Sequence, residues 1–205
     1  MHRVGVGQVR ARQVFALLFT VLPAAFSGSV KPDTNLTIVL DFKGPHSPQS
    51  VEAMKEETQG ILKDAGLHLR WKSRQEAQIA SFDELVVVSF SGACELPPAP
   101  LYDELGPLAS TYETDGHIQP FSEVSCDRVS AFVRSGLHGG DVLRGELLLG
   151  KALGRVVAHE LVHMLTGDKE HSRAGVFKAG LTVEQLLAGE LSLSPGDIQR
   201  LRSRP

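Results

Sequence analysis

Residues 146–171 read ELLLGKALGRVVAHELVHMLTGDKEH, and this stretch decides the fold. From about Glu146 to Leu165 its apolar residues recur at helical spacing, and Gly167 is a natural stop, so the run predicts one long helix. Around residues 159–163 the neighbours Val156, Val157, Ala158, Leu161, Val162, Met164 and Leu165 are all uncharged. That predicts a helix buried on most of its circumference rather than one lying on the surface. Gly150 and Gly154 lie four apart and cost helix propensity, but they give a smooth face that predicts close packing against a sheet.

Working outward, Asn35 to Phe42 (NLTIVLDF) alternates and is rich in β-branched residues, so it reads as a strand. Ser47-Pro48 is a helix start, and Val51, Met54, Thr58, Ile61 and Ala65 give the helix one apolar face that Gly66 ends. Leu67 to Trp71 reads as a second strand. Leu85 to Phe90 (LVVVSF) is a continuous apolar run and predicts a strand covered on both faces. Glu95 to Pro107 reads as a Pro-rich loop, and Leu108 to Tyr112 and His117 to Val133 predict further strands or hairpins. Thr182 with Gln185 forms a capping box for a later helix, and Ser194-Pro195 opens a last one. The order predicts an α+β fold, with a mixed twisted sheet, a right-handed crossover and one long helix carrying residues 159–163.

The 205 residues are 42% hydrophobic and 22% charged, with a net charge of −3, which excludes a disordered chain and disfavours a nucleic-acid binder. Arg3, Arg10 and Arg12 precede the apolar stretch Val14 to Phe26, which is too short to span a membrane. Small residues follow near Ser27. This is the pattern of a secretory signal peptide over residues 1–27, leaving a single domain over 28–205. The expected location is secreted or periplasmic, with no stable membrane span after cleavage, no nucleic-acid partner and a monomeric state. In an oxidising compartment Cys94 and Cys126 can pair or remain two separate buried thiols, and spacing does not choose between these. Asn35-Leu36-Thr37 is a glycosylation sequon. The arginines at 200, 202 and 204 read as a solvated tail.

Eight histidines are present, three of them within residues 159–171. His159 and His163 stand at i and i+4 of the predicted helix, so both imidazoles can reach one metal ion. Zinc suits imidazole nitrogen in tetrahedral geometry. Glu160 can face an open coordination position and take a proton from a metal-activated water. A catalytic zinc needs a third protein ligand. His171, past the break at Thr166-Gly167, is the leading candidate, with Asp168 and Glu184 as rivals. His117 and His138 can stabilise an oxyanion or stand as surface histidines.

The run His159-Glu160-Leu161-Val162-His163 resembles the zincin superfamily of zinc metallopeptidases. With His171 it resembles the metzincins, whose pattern is H-E-x-x-H-x-x-G-x-x-H. It also resembles small exported bacterial proteins with H-E-x-x-H-x7-H. Seven residues separate His163 from His171 where the metzincins have five, the glycine is one place later, and no methionine follows His171. The resemblance implies a zincin-like fold and one catalytic Zn2+ held by His159, His163 and His171, with Glu160 as general base. It also implies an extended peptide or protein substrate along an edge strand near Gly106 to Ala109. The expected activity is that of an exported metalloendopeptidase. The alternatives are a zinc-stabilised binding module without turnover and a zinc hydrolase of a non-peptide amide.

Overall fold

The computed structural model describes residues 34–96 and 106–204. The expected leader over residues 1–27 lies outside the described residues, and so does most of the expected Pro-rich loop. Strand β1 (Thr34–Phe42) leads into helix α1 (Pro48–Leu62), then strand β2 (Leu67–Ser73), the short helix α2 (Arg74–Ala77) and strand β3 (Leu85–Ser91). Strands β4 (Ala109–Thr114) and β5 (His117–Ser125) form a hairpin. Helix α3 (Cys126–Ser135), the long helix α4 (Gly145–Thr166), and the short helices α5 (Val183–Leu187) and α6 (Pro195–Arg202) complete the order. The sheet runs β2-β1-β3-β5-β4. β4 is antiparallel to β5 and forms one edge, while the other neighbours are parallel. This is a mixed α+β architecture.

One sheet face builds the core. Leu36, Ile38 and Leu40 of β1 and Val86, Val88 and Phe90 of β3 pack in one cluster with Met54 and Leu62 of α1 and Leu153, Val157 and Leu161 of α4. The expectation of a β3 covered on both faces is corrected. Val86, Val88 and Phe90 are buried, but Val87 and Ser89 are only half-buried. They share the opposite face with Asp41, which binds Arg74 at 2.6 Å. The apolar composition of the run reflected one buried face plus a β-branched preference, not two buried faces.

Two further expectations change. The strand expected to continue to Val133 ends at Ser125. Cys126, Val129, Ser130 and Val133 recur at helical spacing and are the buried side of α3. The small face of α4 meets α1, not the sheet. A Cβ on Gly150 would stand 2.4 Å from the Ser50 carbonyl oxygen, and one on Gly154 would stand 2.7 Å from that of Met54. Thr58 seals this contact with a hydrogen bond to the Gly154 carbonyl at 3.1 Å.

Cys94 and Cys126 form a disulfide with Cα atoms 4.8 Å apart, joining the segment after β3 to the start of α3. Arg155 of α4 is fully buried. It donates to Glu57 of α1 at 2.6 Å and to the carbonyls of Gln185, Ala188 and Gly189, so it fastens α5 and the turn after it to α4. The C-terminal arginines are not a solvated tail. Leu201 of α6 is buried, which draws the helix onto the domain. Arg202 donates to the Asp64 carbonyl, Arg204 pairs with Glu84, and Arg200 pairs with Asp197 and Asp168. Among the described residues, no helix is long and apolar enough to cross a membrane.

Asp197 has no exposed surface and accepts from Ser172 and Ser194 hydroxyls and from Arg200. Burial alone would raise its pKa, but these bonds outweigh burial and hold the carboxyl below its ordinary value. A folded-state pKa below the unfolded one contributes stability above about pH 4 and loses it as pH falls further. Asp197→Asn should therefore cost about 1–3 kcal/mol at pH 7. The deficit against wild type in urea unfolding should shrink below about pH 4, and a deficit unchanged down to pH 3 would contradict the assignment. Gly150→Ala should lose about 1–3 kcal/mol by overpacking, although alanine is the better helix former by about 1 kcal/mol. A stabilised variant would show that α1 and α4 do not approach this closely.

Candidate metal centre

Helix α4 ends where its capping requires. Gly167 takes φ 67°, and its N–H donates to the His163 carbonyl at 2.9 Å. The chain then reverses. The Asp168 carboxylate accepts from the Glu170 N–H at 2.9 Å, an Asx turn that swings residue 171 back over the helix. The Ser172 N–H donates to the Phe177 carbonyl and the Val176 N–H to that of Ser192. Phe177 is fully buried, with its ring 4.6 Å from that of His163, 5.3 Å from His159 and 5.5 Å from His171.

This path brings three imidazoles together. Nε2 of His171 lies 3.2 Å from Nε2 of His163 and 3.2 Å from Nε2 of His159. One ligand atom from each residue falls within 4.8 Å of the others. The far side of two rings is committed to backbone. Nδ1 of His159 donates to the Val176 carbonyl at 2.9 Å, and Nδ1 of His163 donates to the Asp168 carbonyl at 2.6 Å. A carbonyl only accepts, so each Nδ1 carries the proton and each Nε2 presents a lone pair to the shared point. Burial pushes His159 down to about 4, helped by its histidine neighbours and opposed by the Val176 bond, and burial likewise lowers His163. Both rings are neutral at pH 7, the form that ligates.

The spacing fits a metal. Two nitrogens on a tetrahedral ion at about 2.0–2.1 Å stand roughly 3.3–3.4 Å apart. The two separations that involve His171 are within about 0.2 Å of that, and the ligand atoms of His159 and His163 lie within 4.8 Å of each other. Three imidazoles with no thiolate suit zinc and its neighbours in the first transition row.

Glu160 is buried on the same stretch of α4. Its Oε2 accepts from the Thr111 hydroxyl of edge strand β4 at 2.6 Å. Burial pushes its carboxyl up to about 7, against the pull of the Thr111 bond. Glu160 and the three histidines line a cleft of about 770 Å³ that β4 borders, with Leu108, Ile118, Phe132 and Leu181 as apolar wall. Lys169 and Glu113 form an ion pair at 2.6 Å between the loop and β4.

The rival ligands lie elsewhere. The Asp168 carboxylate is held by Arg200, and Asp168 serves the site through its carbonyl. Glu184 is exposed on α5 and lines a different cleft, as does His138, while His117 begins β5 outside the histidine cleft. Sequence reasoning missed Thr111, Phe177 and the two carbonyls. The pair Val176-Phe177 between Gly175 and Gly180 was the available signal, an apolar anchor in an otherwise small and polar loop.

No family model matches the chain, and no curated protein matches it in sequence. Among solved structures it is similar to archaemetzincin from Methanopyrus kandleri, with 12% identity, a TM-score of 0.47, and coverage of 82% of this chain and 93% of that one. A likeness that distant assigns no activity, and the site stands on its own geometry.

A metal held in the native state alone stabilises it by mass action. Zinc at about 100-fold above its Kd should add about 2.7 kcal/mol, or roughly 5–10 °C in Tm for a domain of this size. His163→Ala should abolish the rise in a thermal melt. An equal rise in the variant would place the metal elsewhere.

Proposed function

We propose that the protein is an exported zinc-dependent metallopeptidase of zincin type, with one Zn2+ held by His159, His163 and His171 and with Glu160 as general base. One observation carries this reading. Nε2 of His171 stands 3.2 Å from Nε2 of His159 and of His163, those two rings are fixed by Nδ1 bonds to carbonyls, and a buried glutamate shares their cleft. Zinc bound there would lower the pKa of a water to about 7 and polarise a substrate carbonyl.

The chain's own groups then divide the remaining work. The Thr111 hydroxyl engages Oε2 of Glu160, which leaves Oε1 to take the proton of the attacking water and return it to the leaving amine. Among the described residues β4 has only β5 as a strand neighbour, so its other edge can receive an extended peptide as one more strand. The apolar wall of Leu108, Ile118, Phe132 and Leu181 keeps water from the bound chain. The peptide-bond specificity is supported by this extended groove, which a small non-peptide amide would not need. A structural zinc requires the histidines and a closed fourth position, but not Glu160. Export is supported by the leader pattern and by the Cys94–Cys126 disulfide, a bond that persists in oxidising compartments.

The test compares zinc content and cleavage of a peptide library for wild type and Glu160→Gln. The expected result is about one zinc per chain in both proteins, with kcat lowered about 10²–10⁴-fold in the variant. Full cleavage by the variant would remove Glu160 as base. A zinc-loaded wild type that cleaves nothing would favour the binding module.

A further inference from the structure

Arg200 lies 37 residues beyond His163 in sequence, yet it grips both ends of the turn that carries His171. Its Nη1 donates to the Asp168 carboxylate at 2.5 Å, and its Nη2 donates to the Ser172 hydroxyl at 2.8 Å and to Asp197 at 2.5 Å. Its guanidinium also sits 5.6 Å above the centre of the Phe177 ring, the ring that touches all three imidazoles. Asp197, fully buried one turn earlier on α6, accepts from the same Ser172 hydroxyl at 2.5 Å. Residues 168 and 172 bracket His171, and residue 168 supplies the carbonyl that orients His163.

We infer that Arg200, with Asp197 behind it, is a positioning residue for metal binding. It fixes residues 168–172 so that the His171 Nε2 and the His163 orienting carbonyl are in place before the ion arrives. The inference rests on the three-histidine site proposed above. The physical argument is geometric. Apart from Arg200 and Asp197, the 168–172 turn is held by the Asx turn at Asp168, the Asp168 N–H bond to the Thr166 hydroxyl, the Ser172–Phe177 backbone bond and the half-exposed Lys169–Glu113 ion pair, and none of these joins residue 168 to residue 172. A planar fork can hold a carboxylate and a hydroxyl at fixed relative positions, whereas a lysine, as a point charge, cannot. Groups that orient ligands in this way cost about 10–100-fold in metal affinity when removed.

The experiment measures zinc Kd by competition with a chromogenic chelator on the full chain, for wild type, Arg200→Met, Arg200→Lys, Asp168→Asn and the double variant Arg200→Met with Asp168→Asn. Urea unfolding of each metal-free protein is followed in parallel. Asp168→Asn keeps the carbonyl that serves His163 and an amide oxygen for the Asx turn to Glu170, and removes the negative charge that Arg200 grips. The expected result is a 10–100-fold weaker Kd in Arg200→Met, a comparable loss in Asp168→Asn, little rescue by Arg200→Lys, and a double variant no weaker than the worse single one. Destabilised variants with wild-type zinc affinity would overturn the inference and reduce Arg200 to a structural anchor. If Arg200→Met does not fold, Asp168→Asn decides by the same criterion. A wild type that binds no zinc at the histidines would overturn the proposed metal centre itself, which separates that failure from failure of the positioning role.

Discussion

Two carbonyl oxygens, those of Asp168 and Val176, decide which way the imidazoles of α4 face. A helix can place residues i and i+4 on one side, but it leaves each ring free to rotate about its own side-chain bonds. The carbonyls remove that freedom and fix the tautomer. Both belong to the loop after Gly167, so the site exists only where that loop is held against the helix. The surrounding structure supplies the hold. Phe177 fills the space under the three rings, the Val176 N–H is tied to Ser192, and α6 braces the turn from outside.

The arrangement carries a local cost. The His159 and His163 rings are held neutral by burial, and a glutamate is buried beside them with its pKa raised to about 7. None of this favours folding by itself. The offset comes from ordinary sources elsewhere. The core cluster between sheet and helices is continuous, the Gly150–Gly154 face lets α1 and α4 meet closely, and Arg155 satisfies its buried charge with Glu57 and three carbonyls. A scaffold held this firmly can keep buried polar groups in a fixed arrangement.

The long helix, its stop at Gly167, the caps at Ser47, Thr182 and Ser194, and strands β1 to β3 were legible because each rests on local spacing or on a single turn residue. The pairing of His159 with His163 was legible for the same reason. Other features were not. α3 was hidden because a short run ending in Val133 fits either period, and only burial of Cys126, Val129 and Val133 on one side separates them. The partner of the α4 glycines, α1, is about a hundred residues away, and nothing local names it. Thr111 and Arg200 act across β4 and α6, and a lone threonine or arginine carries no spacing signal. The stop at Gly167 lets His171 turn back toward the helix, and the Asx turn at Asp168 is the bond that returns it there.

In the metal centre we propose, three imidazoles hold the ion. X-ray absorption at the zinc edge of the zinc-loaded protein reads this directly. The account predicts three nitrogen ligands at about 2.0–2.1 Å, with the multiple-scattering signature of imidazole, one further oxygen and no sulfur. A spectrum fitted by fewer than three imidazoles, with carboxylate oxygens in their place, would contradict it.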